Sequence, residues 1–217
     1  MTGRQAIIRL KAKLNSLDTA SNRTVRPELA LLFLNDAYSK LVDAKYEKTQ
    51  QEDSTAFQLN QKTTDDLNHL TNTIYVTPTK VGDEYIVELT ELTNYSHHLR
   101  SSLEVQFEGK TYRVNKLNYK SIDTIGTVFG DPFNSTEPLN PIVYFESNKI
   151  IVLTDNFSVS KHKITYLKSP SEITLDSTIE APFVDSIIDV AAWLILESWG
   201  DPRAQSKITI DKLIENE

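Results

Sequence analysis

The apolar residues of this chain keep a helical period toward one end, alternate in the middle, and return to a helical period toward the other. That order is the strongest constraint on its fold, because helices bury a stripe of period 3.6 and strands a face of period 2. The first helical segment opens at Arg26-Pro27-Glu28 and continues as LALLFLNDAYSKLVDAKYEK. Proline costs nothing at a first helical position, and the acid behind it faces the positive end of the helix dipole. Leu31, Leu34, Tyr38, Leu41 and Val42 recur at helical spacing, which predicts an amphipathic helix over about residues 27–48. After polar Thr49 to Thr55, AFQLNQKTTDDLNHLT offers a second helix with Phe57, Leu59, Leu67 and Leu70. The two together predict a helical hairpin, with helices over 27–75.

Beyond Val76 the pattern changes. Pro78 and Gly82-Asp83 are breakers, and YIVEL at 85–89 is dense in strand formers. Leu103, Val105 and Phe107 alternate with polar residues, Glu108-Gly109-Lys110 can turn, and Tyr112 and Val114 resume the alternation. GTVFGDPFNSTEPLNP then reads as a long surface excursion. IVYFES and KIIVL flank Ser147-Asn148, and HKITYL precedes Lys168-Ser169-Pro170, so three more strands are expected in a β region over 84–170. Short links predict a mostly antiparallel sheet. FVDSIIDVAAWLILESW follows Ala181-Pro182 as a last amphipathic helix over 182–199, with Val184, Ile187, Ile188, Ala191, Leu194 and Ile195 as its stripe and Trp193 and Trp199 extending it. The expected class is α+β: an N-terminal helical hairpin and a C-terminal amphipathic helix flanking a mostly antiparallel β region. No repeat is visible, which argues against solenoids and propellers.

Charge is distributed unevenly. Residues 1–26 carry six basic side chains against one acid, and residues 172–217 carry three against ten. The expected layout is therefore a basic N-terminal arm at 1–26, a single α+β domain at 27–205, and an acidic C-terminal tail at 206–217. Such polarity suits head-to-tail docking between subunits, and equally a solvated arm and tail.

Composition limits the chemistry. With no cysteine in 217 residues, disulfides, thiol nucleophiles, iron-sulfur clusters and Cys-bound zinc are excluded. Mean hydropathy is −0.35, and no apolar run nears the roughly 20 residues that span a bilayer, so no membrane role is expected. The opening residues lack the apolar stretch of a signal peptide, which places synthesis in a cytoplasm and makes the sequons at Asn22, Asn94, Asn134 and Asn156 chance matches. His69, His97, His98 and His162 are the only histidines. His97 and His98 would point to opposite faces of a strand, and no HExxH pair occurs. Asp65-Asp66 and Asp83-Glu84 read as solvated acids, and neither a phosphate loop nor a GxSxG elbow is present. Neither catalysis nor a cofactor is expected. Arg4, Arg9, Lys11 and Lys13 could touch DNA weakly or dock on an acidic neighbour.

Four blocks carry a resemblance: LALLFLNDAYSKLV; LEVQFEGKTYRVNKLNY; DPFNSTEPLNPIVYFESNKIIVL followed by ITYLKSP; and FVDSIIDVAAWLILESWGDPRAQS, which ends near a D-P-R-x-Q signature. Taken in order, residues 27–205 resemble the head-to-tail connector proteins, rings or adaptors, of crAss-like and related tailed bacteriophages. Residues before 27 and after Ser206 lie outside the resemblance. It implies a structural virion protein of the head-tail connector, made in the host cytoplasm and without enzymatic activity. It also implies a homo-oligomeric ring, a dodecamer, that links the portal protein to other ring or tail proteins and forms part of the DNA conduit. The alternatives are another tail or head-completion protein, or a DNA-contacting accessory protein using the basic arm. Trp199 and Arg203 flank a helix break and belong to residue types favoured as interface anchors, and with Asp131 and Phe133 of the DPF block they are the expected subunit or portal contacts.

Overall fold

In the computed structural model, residues 1–17, 24–52, 65–128 and 135–200 are described. The class is α+β: N-terminal helices and a C-terminal helix flank a β region. The residues cluster into two compact units, one formed by Met1–Leu70 with Pro170 onward, the other by Thr71–Ser169. The single domain expected over 27–205 is thus divided, because both ends of the chain contribute to the helical unit.

In that unit α1 (Gly3–Leu17) and α2 (Pro27–Glu52) pack with α4 (Val184–Ser198). Pro27 opens α2 as expected, and Leu34, Tyr38, Leu41 and Val42 are buried with Ala30 and Ala37, while Leu31 is half-buried. On α4 the buried face is Ile187, Ile188, Val190, Ala191, Ala192, Ile195 and Leu196; Val184 and Leu194 are only half-buried. Of the residues expected as a basic arm, Gly3–Leu17 form α1 instead, and 18–23 lie outside the described residues. Ala6, Ile7, Leu10 and Leu14 recur at helical spacing and are buried, so a cohesive apolar stripe, not the cations, decides the conformation. Thr2 and Gln5 cap it reciprocally: Gln5 N–H donates to Thr2 Oγ1 at 3.4 Å, and Thr2 N–H donates to Gln5 Oε1 at 3.0 Å. Two further amides at this end are satisfied by the returning chain, Gly3 N–H on Ser177 O and Arg4 N–H on Leu175 O, both 3.0 Å. Asn35 on α2 holds the same returning segment, accepting from Ile173 N–H at 2.7 Å and donating to Ile173 O at 3.1 Å.

The expected second helix is only partly within the described residues. Phe57 and Leu59 fall outside them. Residues 65–67 are helical and lead into a 3-10 turn at Asn68–Leu70, with Leu67 and Leu70 buried. The helices do not reach 75. Thr71, Thr73, Ile74 and Val76 are β-branched and stiff at χ1, and β1 (Thr71–Val76) begins there, so the β region starts at 71 and not at 84.

The β unit holds two sheets. One has the order β1-β9-β4-β5, with β4 (Tyr95–Phe107), β5 (Lys110–Val114) and β9 (Ser158–Lys168). The other has the order β2-β3-β8-β7-β6, built from β2 (Thr79–Val81), β3 (Glu84–Glu88), β6 (Asn118–Tyr119), β7 (Ile142–Glu146) and β8 (Lys149–Leu153). All pairs are antiparallel except β6 with β7. The expected β4–β5 hairpin forms, and its turn residues Glu108 and Gly109 both have positive φ, the requirement of a two-residue hairpin turn matched to strand twist. KIIVL does not alternate because β8 is buried on both faces: Ile150 and Val152 join a core shared with the other sheet, while Ile151 and Leu153 pack with Ile125 of α3 (Ile122–Val128). The start of the expected excursion is therefore helical, and its end is pinned by Thr136, whose hydroxyl donates to Leu153 O at 2.8 Å and accepts from Ile142 N–H at 3.2 Å.

Candidate functional site

The basic residues of α1 line up against the acids of the returning C-terminal segment. Arg4 meets Asp176 at 3.0 Å, Arg9 meets Asp185 at 2.8 Å, and Lys13 meets Asp189 at 2.9 Å. From Arg9 to Lys13 and from Asp185 to Asp189 both helices advance by one turn, so α1 and α4 run parallel along this seam. Asp185 also lies in the first turn of α4, where a carboxylate favours the dipole. The groups remain largely exposed, so each pair contributes at most about 1 kcal/mol. Their chief effect is on the field: the basic patch read from the sequence lies beside acids of its own chain. Lys11 is half-buried and has no ion-pair partner among the described residues.

Beneath the surface of the same unit lies a second polar group. Lys45 is 7% exposed; its ammonium pairs with Asp66 at 2.9 Å and sits 5.1 Å from the ring centre of Phe183. His69 Nδ1 lies 2.9 Å from Asp66 O, which can only accept, so Nδ1 carries a proton, and in the neutral ring Nε2 accepts from the Tyr38 hydroxyl at 2.8 Å. Burial, aided by the Glu180 carboxylate, pushes the Tyr38 phenol up to about 12. These bonds fasten the turn at 65–70 to α2.

The structure brings Arg4, Arg9, Lys11 and Lys13 together on one helix. Trp199 caps the C-terminus of α4, half-buried, its N–H on Ile195 O at 3.1 Å ahead of Gly200 with φ of 66°. Asp131, Phe133 and Arg203 lie outside the described residues. Asp176, Asp185 and Asp189 are partners that sequence reasoning does not reveal, because their pairing with residues far away in the chain is a product of the fold. Large apolar side chains also stand in solvent, with Ile8 67% and Leu32 62% exposed and Leu29 on the same face of α2 as Leu32. In the β unit a cleft of about 620 Å³ is lined by Lys80, Gln106, Phe107, Glu108, Asp155 and Asn156. No group of three or more histidine or acidic side chains is placed to hold a metal ion among the described residues, nor is any helix there long and apolar enough to cross a membrane. No protein-family model matches the chain, and no curated protein matches it.

Proposed function

We propose that this chain is a structural virion protein, a ring-forming adaptor in the head-tail connector of a tailed bacteriophage, acting by association and not by catalysis. The observation that carries the reading is the ordered set of four sequence blocks, which fall on α2, the β4–β5 hairpin, β7 to β9, and α4. The described parts of the four blocks include these elements, while 131–134 and 201–206 lie outside the described residues. Ile8, Leu29 and Leu32 supply apolar surface for a neighbouring copy. Closed rings arise when one surface of a subunit meets a different surface of the next.

The DNA-contacting alternative has less support. A phosphate approaching Arg4, Arg9 or Lys13 meets carboxylates within 2.8–3.0 Å of those cations. Electron microscopy of the purified chain, alone and with the cognate portal protein, tests the proposal. Closed rings of portal symmetry are expected in the mixture; a chain that stays monomeric and off the portal overturns it.

A further inference from the structure

The core of the β unit contains one residue that does not belong in an apolar interior. His162 on β9 is fully buried, and neither ring nitrogen has a hydrogen-bond partner among the described residues. Its neighbours by register are Leu103 on β4 and Val76 on β1, both apolar. The same strand contributes Ile164 and Tyr166 to the core, and the opposing sheet contributes Tyr85, Val87, Val143, Ile150 and Val152.

A second imidazole lies close by. His98 on β4 bonds Ser101 Oγ at 2.9 Å and packs edge-on against Phe145 of β7 and Tyr119 of β6. The titratable groups on this core besides His162 are Tyr85, Tyr95 and Tyr166, with half-buried His98 and exposed Tyr119 at its edge. Lys161 and Lys163, flanking His162 in sequence, meet Glu104 and the ring of Tyr75. Glu104 also pairs with Arg113 on β5. Among the described residues no carboxylate acts on the buried ring.

We infer that the β unit is an acid-operated latch: it stays closed while His162 and His98 are neutral and opens when protons are available to them. A proton on His162 would place an unpaired charge between two sheets, which a low-dielectric core does not tolerate. Burial, with a smaller contribution from His98, holds His162 down to about 3, and burial holds His98 to about 4, against an ordinary value of 6.5. The opened chain takes up the protons that the closed one refuses. Stability is therefore complete above the ordinary histidine value and is lost as pH falls from there toward the depressed values. For His162 alone the opening constant rises about 25-fold between about pH 7 and about pH 5.

Urea unfolding of the full chain at both pH values, followed by amide signals of β4 and β9, tests this. Acid effects from surface carboxylates are common to the wild type and to His162→Leu, so they cancel in the comparison. The variant is expected to lose about 25-fold of the pH dependence. Equal pH dependence in the two proteins overturns the latch. A ring-proton NMR titration of the wild type gives an answer even if the variant does not fold. The His162 signal should stay neutral down to the pH at which the β unit opens, and a folded-state titration near the ordinary histidine value would contradict the inference.

Discussion

Arg9 and Asp185 lie 2.8 Å apart although 176 residues separate them in the chain. With Arg4 on Asp176 and Lys13 on Asp189, this contact places the basic beginning of the chain beside its acidic C-terminal region. The charge polarity that suggested docking between molecules is in part spent within one.

Charge reversal at the seam should reveal how much these pairs contribute. Arg9→Glu is expected to destabilise the chain by about 1 kcal/mol, through the lost pair and a new repulsion, and Arg9→Glu with Asp185→Arg should recover most of it. The coupling, read from urea midpoints in a double-mutant cycle, should shrink in high salt because both groups are exposed.

Gly3 sits where the chain returns. A Cβ at this position would collide with the carbonyl oxygen of Thr174, part of the backbone that runs on to Leu175 and Ser177, which accept from Arg4 and Gly3 N–H. Gly3→Ala should therefore cost about 1–3 kcal/mol despite alanine's better helix propensity, a sign opposite to the usual glycine replacement. Thermal unfolding measures it.

Lys45 and Asp66 should behave unlike the seam pairs. Lys45→Ala removes the partner of a carboxylate with little access to water, along with the contact over Phe183, and is expected to cost about 3 kcal/mol. Lys45→Met with Asp66→Leu should recover much of that loss by replacing both charges with apolar volume. If Lys45→Ala were as mild as the surface substitutions, the burial of this pair would be contradicted.

Tyr38 contributes to the alkaline limb together with Tyr46, Tyr119 and Tyr144, whose phenols burial also pushes up. Its folded value of about 12 exceeds the ordinary 10, so its contribution is complete below 10 and is lost as pH climbs from there toward 12. The slope is about 1.4 kcal/mol per pH unit. Tyr38→Phe should remove its share of that slope, leaving the share of the other raised phenols, while costing about 1–2 kcal/mol at neutral pH, because His69 Nε2 loses its donor. Urea midpoints at neutral and alkaline pH separate the two effects.

Leu32 offers a test of association without disturbing the fold. Leu32→Asp should leave unfolding within about 0.5 kcal/mol, as surface changes do, and should weaken ring assembly. Light scattering of the variant with the portal protein reads the outcome.

How legible these features were depended on the range of the interaction. Leu34, Tyr38 and Leu41, or Leu103 and Val105, announce α2 and the β4–β5 hairpin because their environment repeats every few residues. The first half of β4 escaped because bulges between Tyr95 and His97 and between His98 and Arg100 break the alternation. β1 escaped because an edge strand buries little, and Thr71-Asn72-Thr73 reads as polar. α1 was masked by its cations, although Thr2, Gln5 and the spacing of Ala6, Ile7, Leu10 and Leu14 mark a capped amphipathic helix. The seam itself was not readable, since the pairing of residue 9 with residue 185 is a product of the whole fold. For the same reason the sequence placed His162 on a strand without showing that its ring is enclosed.

The most direct test of the central claim is the copy number of this chain relative to the portal protein, by label-free quantitative mass spectrometry of gradient-purified phage particles from the genome that encodes it. The connector account predicts a ratio near one, as a ring of portal symmetry requires. Absence of the chain from the particle would contradict it.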